Sequence, residues 1–176
     1  MIGGGDLERM RLHASEAARI VEVGEKDVTE RRAEAECVVT MTSDACARLV
    51  EGTPKGDPIE AARVAGLMAV KRTPDLLPFC HPIAVTGAEV VVTPDVDAGR
   101  ILVGTTVRAR DRTGVEMEAL TAAAVAALSL YDTAKPFDRA ARIDGLRLVA
   151  KSGGKSGDYR APDWEPAGGP GSPSTS

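Results

Sequence analysis

Hydrophobic and polar positions along the chain follow two periods in turn, and the switches between them mark the elements. Ala35 to Met41 (AECVVTM) reads as a strand, and Ser43 opens a helical run, DACARLVEG, that Gly52 closes. Asp57, Pro58 and Glu60 then give a stronger start signal. Asp caps free amides, Pro tolerates the first turn, and Glu60 can reach back to complete a capping box. The second helix is expected from Pro58 to about Lys71, with Ile59, Val64, Leu67 and Met68 on one stripe and Lys71 and Arg72 at its negative end.

After the proline-punctuated loop TPDLLPFCHP, two runs rich in β-branched residues, Ile83 to Thr93 and Arg100 to Arg110, flank the turn PDVDAG and predict an antiparallel hairpin. Thr113-Gly114 breaks the second strand. Val115 to about Ala134 is then the longest predicted helix, with Met117, Leu120, Val125, Leu128 and Tyr131 available to pack on a sheet. Arg142 to Lys151 is a last strand whose apolar residues Ile143, Leu146, Leu148 and Ala150 alternate imperfectly. The order β, α, α, β, β, α, β contains the split βαβ arrangement. It predicts an α+β, ferredoxin-like sandwich: an antiparallel sheet with helices on one face.

Residues 1–18 lack a convincing apolar stripe and read as an N-terminal extension, whereas 161–176 is dense in Pro, Gly and Ser and is expected to be a mobile tail. The domain between them, 19–160, is long enough to bury a core without disulfides or metal. Composition narrows the function. The 22 basic and 26 acidic residues give a formal charge of −4, which argues against a general nucleic-acid or membrane-surface footprint and still permits a local basic pocket. Ala119 to Leu130, the longest apolar stretch, is too short to span a bilayer, and no basic-then-hydrophobic leader is visible, so a cytoplasmic protein is expected. Cys37, Cys46 and Cys80 form no CxxC pair and only His13 and His81 could join them, so no structural metal site is expected. Cys37 and Cys46 read as small buried hydrophobes.

Several polar clusters admit both a chemical and a structural reading. KSGGKS resembles a phosphate loop, but the G-x-x-x-x-G-K-S pattern needs glycine where Val149 stands. Lys151 and Lys155 can still grip phosphate as point charges, or belong to a solvated basic turn. Asp132 and Lys135, at i and i+3, share a helix face. They can pass protons only if burial or neighbours bring the lysine toward neutrality, and otherwise form a surface pair. Glu116 and Glu118, bracketing Met117, suit the positive end of the helix dipole. His81, in the proline-braced Phe79-Cys80-His81-Pro82, is either structural or a donor held rigidly against a ligand.

Three blocks, KGDPIEAARVAGLMAVKRTPDLLPFCHPI, RTGVEMEALTAAAVAALSLYD and GLRLVAKSGGKSGDY, give the chain a specific likeness. From about Val21 to Tyr159 it resembles the MoaC family, the cyclic pyranopterin monophosphate synthases of molybdenum cofactor biosynthesis. The resemblance implies a homohexamer, a trimer of dimers, with active sites at subunit boundaries. It implies as substrate 3′,8-cyclo-7,8-dihydro-GTP, delivered by MoaA and rearranged to cyclic pyranopterin monophosphate with loss of pyrophosphate. That reaction redistributes protons without net oxidation, so no cofactor is implied.

By the same resemblance Asp132 stands at the catalytic aspartate, with Lys135 and Lys55 as active-site lysines. Asp132 and Lys135 are expected to move protons while Lys55 stabilises negative charge. Phe79, Cys80 and His81, with Glu116, Met117 and Glu118, match ligand-binding segments, and Lys151 and Lys155 are expected to face the triphosphate, helped by Arg31 and Arg110. Pro136, which follows Lys135, is expected to discourage a helical conformation there. The competing readings are a non-catalytic purine-nucleotide sensor on the same sandwich and a purely structural oligomer module.

Overall fold

A computed structural model describes residues 18, 20–54, 56–155 and 157–162. Strand β1 (Thr29–Thr40) leads to helices α1 (Ser43–Glu51), α2 (Pro58–Val70) and the single turn α3 (Thr73–Leu76). The hairpin β2 (Val85–Asp95) and β3 (Arg100–Asp111) follows, then α4 (Glu116–Ala134), β4 (Arg142–Ser152) and the two-residue β5 (Tyr159–Arg160). The sheet order is β2-β3-β1-β4-β5 with every pair antiparallel. This is the ferredoxin-like sandwich that the element order predicted. The stretch Asp6 to Ala17 and the tail from residue 163 onward lie outside the described residues.

Alternation along the strands explains why the helices cover one face only. Ala33, Ala35, Cys37 and Val39 of β1, with Ile101, Val103, Val107 and Ala109 of β3, point into the core. Arg32, Glu34 and Glu36 point the other way, where Arg32 pairs with Glu34 at 2.7 Å and Arg147 with Glu36 at 2.8 Å. β1 starts at Thr29 rather than at the predicted Ala35. The segment TERRAE is too charged to look like a strand, but it is paired with β3 along its length and with β4 from Arg32, so its backbone is satisfied while its charges face water.

In the two longest helices the expected stripes are only partly the buried faces: Ile59 and Leu67 of α2 and Leu120 and Tyr131 of α4 pack against the core. In α2 the expected Val64 and Met68 are 53% and 61% exposed, and the buried face is Ala62, Gly66, Ala69 and Val70. In α4 Met117 and Leu128 face outward, and Ala119, Ala122, Ala123, Ala126, Ala127, Leu130 and Ala134 are buried. The reason is close approach: small side chains let α4 sit low on the sheet and α2 lie against it, leaving the larger apolar residues on the rim. A Cβ on Gly66 would stand 3.1 Å from the Ala122 carbonyl oxygen and 3.0 Å from a Val90 methyl. Thr105 and Cys37 of the sheet donate hydrogen bonds to the Ala119 and Ala123 carbonyl oxygens of α4.

Local signals worked with small shifts. Thr42, not Ser43, caps α1, accepting the Ala45 amide. Asp57 caps α2 through the Ile59 and Glu60 amides, while Glu60 turns to Arg63 instead of completing the box. The imperfect alternation of β4 comes from two register shifts against β1, which leave Val149 buried as an extra residue between Leu148 and Ala150. Ala161 is also buried and donates its amide to the Val149 carbonyl, so ordered packing reaches one residue into the stretch assigned to the tail. Gly66→Val is expected to destabilise the protein by about 2 kcal/mol, because both facing atoms belong to a packed core. Urea denaturation measures the loss.

Candidate functional site

One end of the sheet, where β1 begins and β3 and β4 finish, carries most of the charged residues singled out from the sequence. After β4 the chain turns through Gly153 (φ +91°) and Gly154 (φ +82°). Side chains there would collide with the Glu30 carbonyl oxygen and the Arg31 guanidinium, so only glycine lets this turn pack against β1. Arg31 in turn donates from Nε to the Asp111 carbonyl (3.2 Å) and from a terminal nitrogen to the Arg112 carbonyl (3.2 Å). Arg112 reaches back to the Gly24 carbonyl. These ties enclose an open cavity of about 450 Å³. Among its lining residues the cations Lys26, Arg31, Arg112 and Lys155 outnumber the anions Asp27 and Glu116, which suits a phosphate-bearing ligand.

The start of α4 closes this cavity from beneath. Lys151, on the last turn of β4, donates to Glu116 at 3.0 Å, and both side chains are mostly covered. Glu118, two residues further along, is 1% exposed, and neither of its carboxylate oxygens has a hydrogen-bond partner among the described residues. Burial pushes its pKa upward, partly offset by its own backbone amide, and the nearby Glu116 and Asp111 charges raise it further. A buried carboxyl without a partner is costly. Its oxygens can accept a hydrogen bond from any polar group brought to them, and in its neutral form the carboxyl is also a donor.

The Phe79–His81 loop lies beside it. Burial and the charge of Glu118 raise the Cys80 thiol's pKa, so Cys80 stays protonated rather than acting as a nucleophile. Phe79 is 58% exposed and Met117 is 41% exposed, two apolar groups left open at the same end. His81 is half-buried in its proline-braced turn. By contrast Cys37 and Cys46 are buried core residues, as expected, with the Cys37 thiol pushed up to about 12 by burial and the Glu36 charge.

Asp132 and Lys135 form the expected i, i+3 pair, with Lys135 Nζ donating to Asp132 Oδ1 at 2.6 Å. Both are exposed, and the hydrogen bond and charge of Asp132 raise the lysine's pKa, so within one chain Lys135 is an ammonium at neutral pH. The expectation that Pro136 would disturb this residue fails: Lys135 keeps αR angles (φ −54°, ψ −29°) and its amide bonds to the Tyr131 carbonyl. Pro136 lies just past the helix, and Phe137 and Asp138 supply the amides that cap the Ala134 carbonyl.

Seventeen residues of helix separate Glu116 from Asp132 inclusively, a span of about 24 Å at 1.5 Å per residue. One chain therefore brings Arg31, Glu116, Glu118, Lys151, Lys155 and the Phe79–His81 loop to one end and leaves Asp132 and Lys135 at the other. Arg110 is near the first group but exposed, facing Glu30 at 4.0 Å. Lys55 lies outside the described residues. The structure adds Lys26, Asp111 and Arg112, which the sequence reading passed over. The signal for Asp111 and Arg112 is the charge density of RDRTG at a strand break.

The state of Glu118 predicts a pH effect. Because its folded pKa is raised above the ordinary 4.5, its contribution to stability is complete below that value and is lost as pH rises through the folded pKa. Glu118→Gln is therefore expected to raise the melting temperature relative to the parent at pH 8, and the gap should close toward pH 4. Thermal melts across that range measure it.

The profile of the MoaC family matches residues 20–154. Proteins curated as cyclic pyranopterin monophosphate synthase align along most of the chain. The one from Brucella ovis is 50% identical over 148 residues, covering 84% of this chain and 90% of its own length. The Streptomyces griseus protein is 54% identical over 145 residues, covering 82% of this chain and 81% of its own. That of Chloroflexus aurantiacus is 47% identical over 156 residues, covering 88% of this chain and 96% of its own. The matched residues take in β1 to β4 and the packed helices together, and a match of that extent makes this chain a member of the MoaC family.

Proposed function

We propose that this chain is a cyclic pyranopterin monophosphate synthase, a lyase of molybdenum cofactor biosynthesis that converts 3′,8-cyclo-7,8-dihydro-GTP to cyclic pyranopterin monophosphate and pyrophosphate. The observation that carries the reading is the likeness to enzymes of that name over more than four-fifths of the chain. The charged end supports it chemically. A cation-lined cavity suits the triphosphate and the departing pyrophosphate, with Lys155, Arg31 and Arg112 on its wall, Lys151 behind Glu116, which lines it, and Arg110 exposed nearby. Glu118, buried and unpartnered beside Cys80, meets the polar edge of the purine-derived ring, while His81 and Glu116 flank it and Phe79 and Met117 cover its faces.

Proton movement falls to the other cluster. Asp132 is the carboxylate that takes up a proton, Lys135 is the ammonium that returns one, and Lys55 stabilises negative charge as it develops. Because the two clusters stand about 24 Å apart along α4, the complete site draws Asp132 and Lys135 from one copy and the cationic cavity from another. A homohexamer built as a trimer of dimers supplies that boundary. The apolar residues left outward on the helices, Val64, Met68 and Leu128, favour burial against another copy. The substrate comes from MoaA in the cytoplasm, and none of the described helices is long and apolar enough to cross a membrane.

Purified protein given the cyclised GTP is expected to release pyrophosphate and the pyranopterin, and tight binding without either product would refute the enzyme. Asp132→Asn should keep the assembly while turnover drops by about 100-fold or more. Mixing subunits of Asp132→Asn with subunits of Lys151→Ala, each weak alone, should restore turnover, because some boundaries then hold both intact residues. No recovery after subunit exchange would mean that each chain completes its own site.

A further inference from the structure

Asp111 ends β3 and has no part in the roles assigned above, yet it joins three elements of the site. Its Oδ1 accepts the Arg112 amide at 2.6 Å, its Oδ2 accepts the Ala84 amide at 3.3 Å, and its main-chain carbonyl accepts Arg31 Nε at 3.2 Å. The Ala84 contact is the informative one. Ala84 follows His81 after only Pro82 and Ile83, and proline fixes one backbone angle between them. Holding Ala84 therefore restrains where His81 can lie.

Little else holds this loop by its backbone. The Cys80 amide bonds to the Leu77 carbonyl and the Val85 amide to the Ile83 carbonyl, both local turns. The β2–β3 ladder is irregular at that end, because Val85 pairs with Ala109 but Gly87 with Arg108. Ala84 lies beyond the last regular pair, so the side chain of Asp111 substitutes for a rung of the sheet.

We propose that Asp111 is a positioning residue of this site, whose carboxylate ties the Phe79–His81 loop to the turn that leads into α4 and so sets that loop over Glu118. The proposal rests on reading the loop as part of the ligand site. Asp111 also acts electrostatically. Glu118 is faced by Glu116 from its own helix, by Asp111 from β3 and by Cys80 from the loop, and Lys151 of β4 holds Glu116. Removing the Asp111 charge therefore lowers the pKa of Glu118.

Asp111→Ala and Asp111→Asn in the full-length protein test this, the asparagine keeping one acceptor oxygen if the alanine variant folds poorly. Hydrogen exchange at Ala84 is expected to quicken about tenfold in Asp111→Ala and less in Asp111→Asn. KM for the cyclised GTP should rise about tenfold in Asp111→Ala with kcat changed far less, since the loop positions rather than reacts. In Asp111→Asn the limb of the kcat/KM profile governed by Glu118 should move to lower pH, which a purely structural role would leave in place. Unchanged exchange at Ala84 would overturn the role of Asp111 while leaving the loop's place in the ligand site intact. Quickened exchange with unchanged KM would overturn the positioning role by removing the loop itself from that site.

Discussion

The contact between a stripe of alanines on α4 and the inner face of the sheet governs the rest of the molecule. Ala119, Ala122, Ala123, Ala126 and Ala127 bring the helix close enough for its backbone carbonyls to accept hydrogen bonds from Thr105 and Cys37. Larger side chains would lift the helix and break both. Seated this way, α4 carries ionisable side chains at each end. Its first turn puts Glu116 on the wall of the cationic cavity and buries Glu118, and its last presents Asp132 and Lys135 to solvent. The separation of the two clusters follows from helix rise alone.

The first end shows how one fold can hold opposite charges without cancelling them. Lys151 is neutralised by Glu116, and Arg31 spends two of its nitrogens on backbone carbonyls, so the donors still open to a ligand are those that face the cavity. Glu118 has no such partner. Desolvation, not a neighbour, is the main influence on its proton, and the negative charges of Glu116 and Asp111 push in the same direction. A carboxyl whose pKa is raised by burial carries less negative charge beside a cationic cavity than an exposed one would at the same pH.

The second end has the reverse character. Asp132 and Lys135 are exposed and hold each other in their charged forms, a state that high-dielectric water makes cheap and chemically quiet. Covering the pair with another copy would remove that water and strengthen its field. Within one chain this pair is open to solvent, in contrast to Glu118, which is sealed there. The outward apolar residues of α2 and α4 give the covering surface a reason to form.

The order and type of the elements were legible because caps, breakers and β-branched runs act locally. Asp57 before Pro58, Gly52 after α1 and Thr113-Gly114 after β3 each marked a boundary without help from distant residues. Resemblance named the charged residues as well. Side-chain direction was only partly legible in α2 and α4, where Ala and Gly take the buried face and Val64, Met68 and Leu128 the open one. Hydrophobicity alone ranks those residues the other way, because it does not register how close two backbones come. The strand at Thr29 to Glu34 was hidden for a related reason: its charges face water while pairing on both sides secures its backbone. By itself the sequence determined the sandwich, its caps and the identity of the ionic groups, all encoded in neighbours a few residues apart. Only the tertiary structure decided that Glu118 is sealed while Asp132 is open, and that Asp111 reaches Ala84, since burial and cross-chain distance depend on how the elements stack in space.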